Sequence, residues 1–126
     1  MSKKGVTYLE LILALAIVSY VVLAFAQLLF RNTLSVQSSQ FRTTAYNYAV
    51  DKMDEIKNMR ESLGFDAISP GSWTAESSEI NGKVFTRLVT VSALSSSLKR
   101  IYIEVSWSEG GQTRDVEITS MIAAYN

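Results

Sequence analysis

At 126 residues, with 12 Lys and Arg balanced by 12 Asp and Glu, the chain has room for one small domain and carries no global basic field to attract nucleic acid. It contains neither cysteine nor histidine, which excludes disulfides, zinc and iron–sulfur sites, cysteine nucleophiles and every histidine-based catalytic pair. A single proline, Pro70, and six scattered glycines exclude collagen-like and proline-rich classes, so no enzyme, cofactor or metal is expected.

The strongest signal lies near the N-terminus. Residues 11–30 read LILALAIVSYVVLAFAQLLF, 20 residues without a charge, interrupted only by Ser19, Tyr20 and Gln27. A helix of that length rises roughly 30 Å, the thickness of a bilayer's hydrocarbon core. A membrane-spanning helix over 6–30 is therefore expected, with Leu11, Leu15, Val18, Val22, Phe25 and Leu29 among its apolar positions. Lys3 and Lys4 precede the run and Arg31 follows it, which favours a cytoplasmic N-terminus and export of the rest.

Two processing readings compete. In the first, the basic head and apolar core form a secretory signal peptide, with Ala24-Phe25-Ala26 as its cleavage site and Gln27 next. In the second, the signal is Lys3-Lys4-Gly5, and an acidic residue, Glu10, stands at the threshold of the apolar run. A signal peptide gains nothing from that carboxylate, and the apolar run continues beyond Ala26 through Leu28-Leu29-Phe30. A chain that keeps its head uncut as a signal anchor is the third possibility.

Glu10 itself has two explanations. An acid inside the membrane costs on the order of 3 kcal/mol, less near the interface. Thr7-Tyr8-Leu9-Glu10 fits a capping box, in which the Glu10 side chain reaches back to a free backbone amide. Alternatively, cleavage after Gly5 frees an α-amine on Val6, and that cation answers the Glu10 carboxylate of a neighbouring chain. A matched pair in low dielectric offsets much of the burial cost that either charge alone would carry.

Lys-Lys-Gly followed by Val-Thr-Tyr-Leu-Glu-Leu-Ile-Leu-Ala-Leu-Ala-Ile resembles the class III leader of type IV pilins and type II secretion pseudopilins over residues 3–29. The resemblance implies that residues 1–5 are a leader removed by a prepilin peptidase, which also methylates the new N-terminus. Gly5 would then be the last leader residue, Val6 the methylated terminus and Glu10 the family's conserved glutamate. Val6 stands where phenylalanine is commonest. Gln27 stands where many major pilins bend the helix with proline, which points to a minor subunit.

Beyond Phe30 the helical period continues while the composition turns polar. Phe41, Ala45, Tyr48, Met53, Ile56, Met59 and Leu63 recur at spacings near three and four, predicting an apolar stripe on an amphipathic half-helix over 31–64. Lys57 and Glu61 are placed to pair, and Gly64 is a C-terminal stop. The helix from Val6 to Leu63 would measure roughly 90 Å.

Turn and strand signals follow. Ser69-Pro70-Gly71-Ser72 reads as a loop, Asn81-Gly82 as a type I′ hairpin turn, residues 83–92 as a strand, and 92–97 as a serine-rich connector. Ile101, Ile103, Val105 and Trp107 alternate with Arg100, Tyr102, Glu104 and Ser106, and Gly110-Gly111 turns the chain. Val116, Ile118 and Ile122 then face opposite to Asp115, Glu117 and Thr119. The expected fold is α+β: a long N-terminal helix packed on a three- or four-stranded antiparallel sheet over 73–122, within an exported domain of residues 31–126.

The segment from Leu98 to Trp107, its glycine turn and the short closing strand are similar to I-type minor pseudopilins and V-type minor pilins. The resemblance implies a subunit that helps to initiate or cap a filament. It also implies partners: other pilin-like subunits, the prepilin peptidase, an assembly platform with its ATPase, and the lipid of a bacterial inner membrane before assembly. Other motifs carry little. Ser96-Ser97-Leu98-Lys99 fits Ser-x-x-Lys without its companion motifs, and Asp51, Asp54 and Glu55 lie beside Lys52 and Lys57 as a solvated face. Trp73 and Trp107 read as packing residues.

Overall fold

The computed structural model describes residues 7–124. One helix, α1 (Tyr8–Leu63), is followed by a 3-10 turn (Phe65–Ala67) and five strands: β1 (Gly71–Ser72), β2 (Glu76–Ile80), β3 (Lys83–Ser95), β4 (Leu98–Glu109) and β5 (Gln112–Ala123). The chain divides into two units, Met1–Gln37 and Ser38–Asn126.

Local chemistry sets both ends of α1. Thr7 caps the start: its Oγ1 accepts the Glu10 N–H at 3.4 Å and its carbonyl accepts the Leu11 N–H at 3.0 Å. Gly64 ends the helix with φ at 94°, donating to the Arg60 carbonyl at 3.0 Å. A side chain at that φ would be strained, which is why glycine serves there. Hydroxyls inside the helix bond back to the preceding turn, as Ser19 Oγ does to the Leu15 carbonyl at 2.7 Å and Thr33 Oγ1 to Leu29 at 3.0 Å.

In the second unit, α1 buries one face on the sheet. Ala45, Ala49, Met53 and Ile56 are buried, and Phe41, Tyr48 and Met59 pack half-buried beside them. The expected stripe therefore holds except at its end. Leu63 is 71% exposed, because the chain turns away at Gly64 before any strand can cover it. Lys57 and Glu61 also stay apart: among the described residues the salt bridge on this helix joins Lys52 to Glu55 at 3.1 Å.

The sheet is antiparallel throughout, in the order β1-β3-β4-β5, with β2 also pairing β3. Five strands replace the expected three or four. The polar segment before Asn81 pairs with β3 as β2, and Gly71-Ser72 adds a two-residue pairing opposite Val91 and Thr90. Asn81 (φ 53°) and Gly82 (φ 74°) both take positive φ, as a type I′ turn requires. The expected serine connector is shorter than its composition suggests. Pairing with β4 carries β3 through a bulge between Ala93 and Ser95, leaving only Ser96 and Ser97 as the turn.

One face of the sheet supplies the core. Phe85 opposes Trp107, Val89 opposes Ile103 and Val91 opposes Ile101; on β5, Ile118 continues the Val89–Ile103 row and Val116 opposes Val105. Phe85, Ile101, Ile103 and Val105 are fully buried and Trp107 is 5% exposed. The rings of Phe85 and Trp107 sit 5.8 Å apart, and Phe41 from the helix meets Phe85 edge-on at 6.4 Å. Each such buried side chain contributes about 1.5–3 kcal/mol through area removed from water. The result is the α+β arrangement of one long helix on one antiparallel sheet.

Candidate functional site

The first unit owes its character to side chains that nothing among the described residues covers. Leu11, Leu15, Val18, Val22, Phe25 and Leu29 are 49–62% exposed, and Ile12, Leu13, Ile17, Val21, Leu23, Leu28 and Phe30 are comparable. They point in every direction around the axis, so the surface is an apolar cylinder rather than a stripe. None of this apolar stretch is buried among the described residues. The helix is long and apolar enough to cross a membrane. An apolar surface this large is stable only against lipid or other protein. The internal bonds of Ser19 and Thr33 remove most of the polar cost of such a setting.

Glu10 stands at the head of this cylinder. Its backbone is bound by the Thr7 cap, but its carboxylate does not reach back to the Thr7 N–H, so only one half of the expected capping box is closed. Among the described residues no donor meets that carboxylate. It is flanked by Leu9 at 79% exposure and by Leu11 and Ile12. Gly5 and Val6, the expected processing residues, lie outside the described residues. At the far end of the run, Leu23, Ala26, Gln27, Phe30 and Arg31 line a shallow, mostly apolar hollow on the helix surface.

The second unit contains polar clusters that composition did not reveal. Lys52, 6% exposed, donates to Glu55 at 3.1 Å and to Glu76 at 3.0 Å, joining helix to β2. Arg87 on β3 completes the cluster, bonding Glu76 and the Tyr48 carbonyl (2.9 Å) while its guanidinium lies 4.0 Å from the Tyr48 ring centre. The Arg87 hydrogen bond, followed by that of Lys52, holds the Glu76 carboxyl below the usual carboxylate range. Lys99, 7% exposed, donates to the carbonyls of Phe65 (2.9 Å) and Ile68 (2.8 Å), pinning the turn that follows the helix. This ammonium is committed to backbone carbonyls rather than to Ser96, its companion in the Ser-x-x-Lys pattern.

A signal for these buried cations did exist. Lys99 shares the parity of Ile101 and Ile103, and Lys52 lies three residues after Ala49 on the buried helix face. A third cluster is a polar cleft of about 360 Å³ lined by Ser38, Arg42, Trp107, Glu109, Arg114 and Asp115. Glu109 accepts from Trp107 Nε1 at 3.3 Å and Ser38 Oγ at 3.4 Å. The cleft's two carboxylates and two guanidinium groups balance, so it carries no net charge.

Comparison of the chain with protein-family models, with curated proteins and with solved structures finds no match.

Proposed function

We propose that this chain is a minor pilin or pseudopilin, a structural subunit that helps to initiate or cap a type IV filament and polymerises through its N-terminal helix. The observation that carries the reading is the Glu10 carboxylate, unanswered among the described residues at the head of an uncovered apolar helix. In this reading a prepilin peptidase cuts after Gly5 and methylates Val6. The subunit then waits in the bacterial inner membrane, N-terminus inside and residues 31–126 outside the cytoplasm. An assembly platform and its ATPase transfer it into the filament, where apolar half-helices of neighbouring pilin-like subunits replace lipid. The N-terminal amine of one subunit pairs with Glu10 of another and sets their axial register, because displaced registers leave a charge buried alone.

Intact-mass measurement of the chain purified from bacteria that express a prepilin peptidase tests the first step. The expected mature protein begins at Val6 and carries one added methyl group. A chain beginning at Gln27 would identify a soluble exported protein, and an uncut, unmethylated chain a signal anchor; either result overturns the proposal.

A further inference from the structure

The sheet has two unlike edges. On one side, β1 and β2 cover β3 in pieces of two and five residues, interrupted at 73–75. On the other, β5 runs for 12 residues with no proline and no bulge against β4, and no described strand pairs with its outer side. Sheets usually blunt a long edge with charge, proline or bulges. β5 does so only in its first half, where Arg114, Asp115 and Glu117 stand. Residues 118–123, ITSMIA, are uncharged and rich in β-branched side chains, the composition of segments that pair with their own kind.

The hairpin determines which backbone groups this edge offers. The two-residue Gly110-Gly111 turn makes Glu109 and Gln112 the closing hydrogen-bonded pair, so even-numbered residues of β5 direct their amides and carbonyls to β4 and odd-numbered residues direct theirs outward. Two contacts agree. The N–H of Ala124 bonds inward to the Ser97 carbonyl at 2.9 Å, whereas the Ala123 carbonyl accepts from Arg60 of the helix at 3.4 Å. Glu117, Thr119 and Met121 therefore present outward-facing backbone groups.

We infer that this edge pairs antiparallel with the same edge of a second copy, about a two-fold axis at Ser120. In that register Ile118 opposes Ile122, Thr119 opposes Met121 and Glu117 opposes Ala123, so like sides meet and no two charges face each other. Ile118, half-buried in a single chain, gains apolar cover from its partner. Moving the axis to Glu117 would set that carboxylate against its own copy, and moving it to Val116 would set Asp115 against Glu117. Both place like charges directly opposite, which opposes pairing. The pairing displaces the Arg60 contact at Ala123, and the self-complementary interface is the isologous kind that closes as a dimer. It rests on the sheet alone and is independent of any role in a filament.

The chain has no cysteine, so Ser120→Cys provides a single thiol on the proposed axis. Opposed residues of a pair that is not hydrogen-bonded bring their Cα atoms to about 4.5 Å, within disulfide range. With full-length protein in detergent micelles under mild oxidation, Ser120→Cys is expected to form a covalent dimer at least about tenfold faster than Thr86→Cys on the other face of the sheet. Thr119→Pro removes an outward N–H that the β4–β5 ladder does not use, and Met121→Lys adds charge beside it; each is expected to abolish the Ser120→Cys dimer. Circular dichroism shows whether Thr119→Pro remains folded, and Met121→Lys decides the matter if it does not. A monomeric Ser120→Cys protein overturns the inference. So does equal crosslinking at Thr86→Cys, or a dimer that survives the edge-blocking variant, since association through the apolar helix would produce both.

Discussion

Lys52 of the helix and Glu76 of the edge strand β2 meet at 3.0 Å, with the lysine only 6% exposed. Without that contact β2 would have little holding it to α1, since its own side chains are mostly exposed and polar. The helix supplies a buried cation, β2 a half-exposed acid, and β3 a second cation, Arg87, that fixes the acid from the other side. Opposite charges thus fasten the sheet edge that apolar packing does not reach.

This arrangement predicts acid sensitivity. Glu76 titrates below 4.5 in the folded chain because the Arg87 and Lys52 hydrogen bonds favour its carboxylate. A depressed folded pKa adds stability that is present above the unfolded value and lost as pH falls through the folded one. Glu76→Gln is expected to lower stability at neutral pH by about 1–2 kcal/mol, since Lys52 keeps Glu55 and the site is half open to solvent. It is also expected to flatten the stability profile below pH 4.5. Urea unfolding of full-length protein at a series of pH values measures both.

Lys99 makes a different prediction. Its ammonium satisfies the carbonyls of Phe65 and Ile68 and lies 4.1 Å from the Phe65 ring centre, inside the sheet's buried face. Lys99→Met keeps the stem and the volume but strands the Ile68 carbonyl and leaves the Phe65 carbonyl only the Ile68 N–H at 3.3 Å, at an expected cost of about 1–3 kcal/mol. Amide exchange should quicken first in residues 65–68, because that turn depends on the ammonium for its position. Unchanged exchange there would show that the turn is held by Ile68 packing alone.

The two buried cations also mark where sequence reading stops. The apolar cylinder, the Gly64 stop and the Asn81-Gly82 turn are legible because each depends on local composition or on a φ that few residues accept. The alternation of β4 is legible for the same reason, and it places Trp107 in the core. Lys52 and Lys99 occupy core-phase positions, yet a lysine is assigned to the surface until the groups that answer it are known, and these come from residues 24 to 34 positions away or more locally from Glu55. The extension of β3 through its serines is hidden likewise, since pairing with β4 overrides composition. At the candidate site the apolar positions and Glu10 were readable, whereas the open half of the capping box needed coordinates.

The outer face of the sheet offers an alkaline test. The Glu117 carboxylate, as the hydrogen-bonding partner that favours the protonated phenol, with burial and the nearby charges of Glu117, Glu104 and Asp115, pushes the Tyr102 pKa up from 10.0 to about 12. A raised folded pKa contributes stability that is complete below the unfolded value and lost as pH climbs through the folded one. The difference in ultraviolet titration between the native chain and Tyr102→Phe should therefore show one phenol ionising near pH 12. Glu117→Gln should bring that titration down toward 10, the ordinary phenol value. A phenol that ionises near 10 in the native chain would mean that Glu117 does not favour its protonated form in solution.

The last prediction separates the two roles open to Glu10. As a helix-start residue its backbone N–H is held by Thr7 Oγ1 at 3.4 Å, a contact that does not need its carboxylate. Thr7→Ala removes that cap and is expected to cost about 1 kcal/mol of helix stability. In the proposed membrane setting of this 56-residue helix, such fraying at one end should leave membrane insertion and filament entry close to normal. Glu10→Gln keeps the shape and the cap but deletes the charge. If Glu10 answers the freed amine of a neighbouring subunit, this substitution leaves a cation buried without a partner, and breaking a buried pair costs about 3–5 kcal/mol, enough to depress incorporation by two or more orders of magnitude. Quantifying the tagged subunit in sheared filaments, with membrane-bound protein as the reference, gives both values. The expected order is native and Thr7→Ala similar, Glu10→Gln far below; equal incorporation of all three would reduce Glu10 to part of the helix start and remove the main support for assembly through this acid.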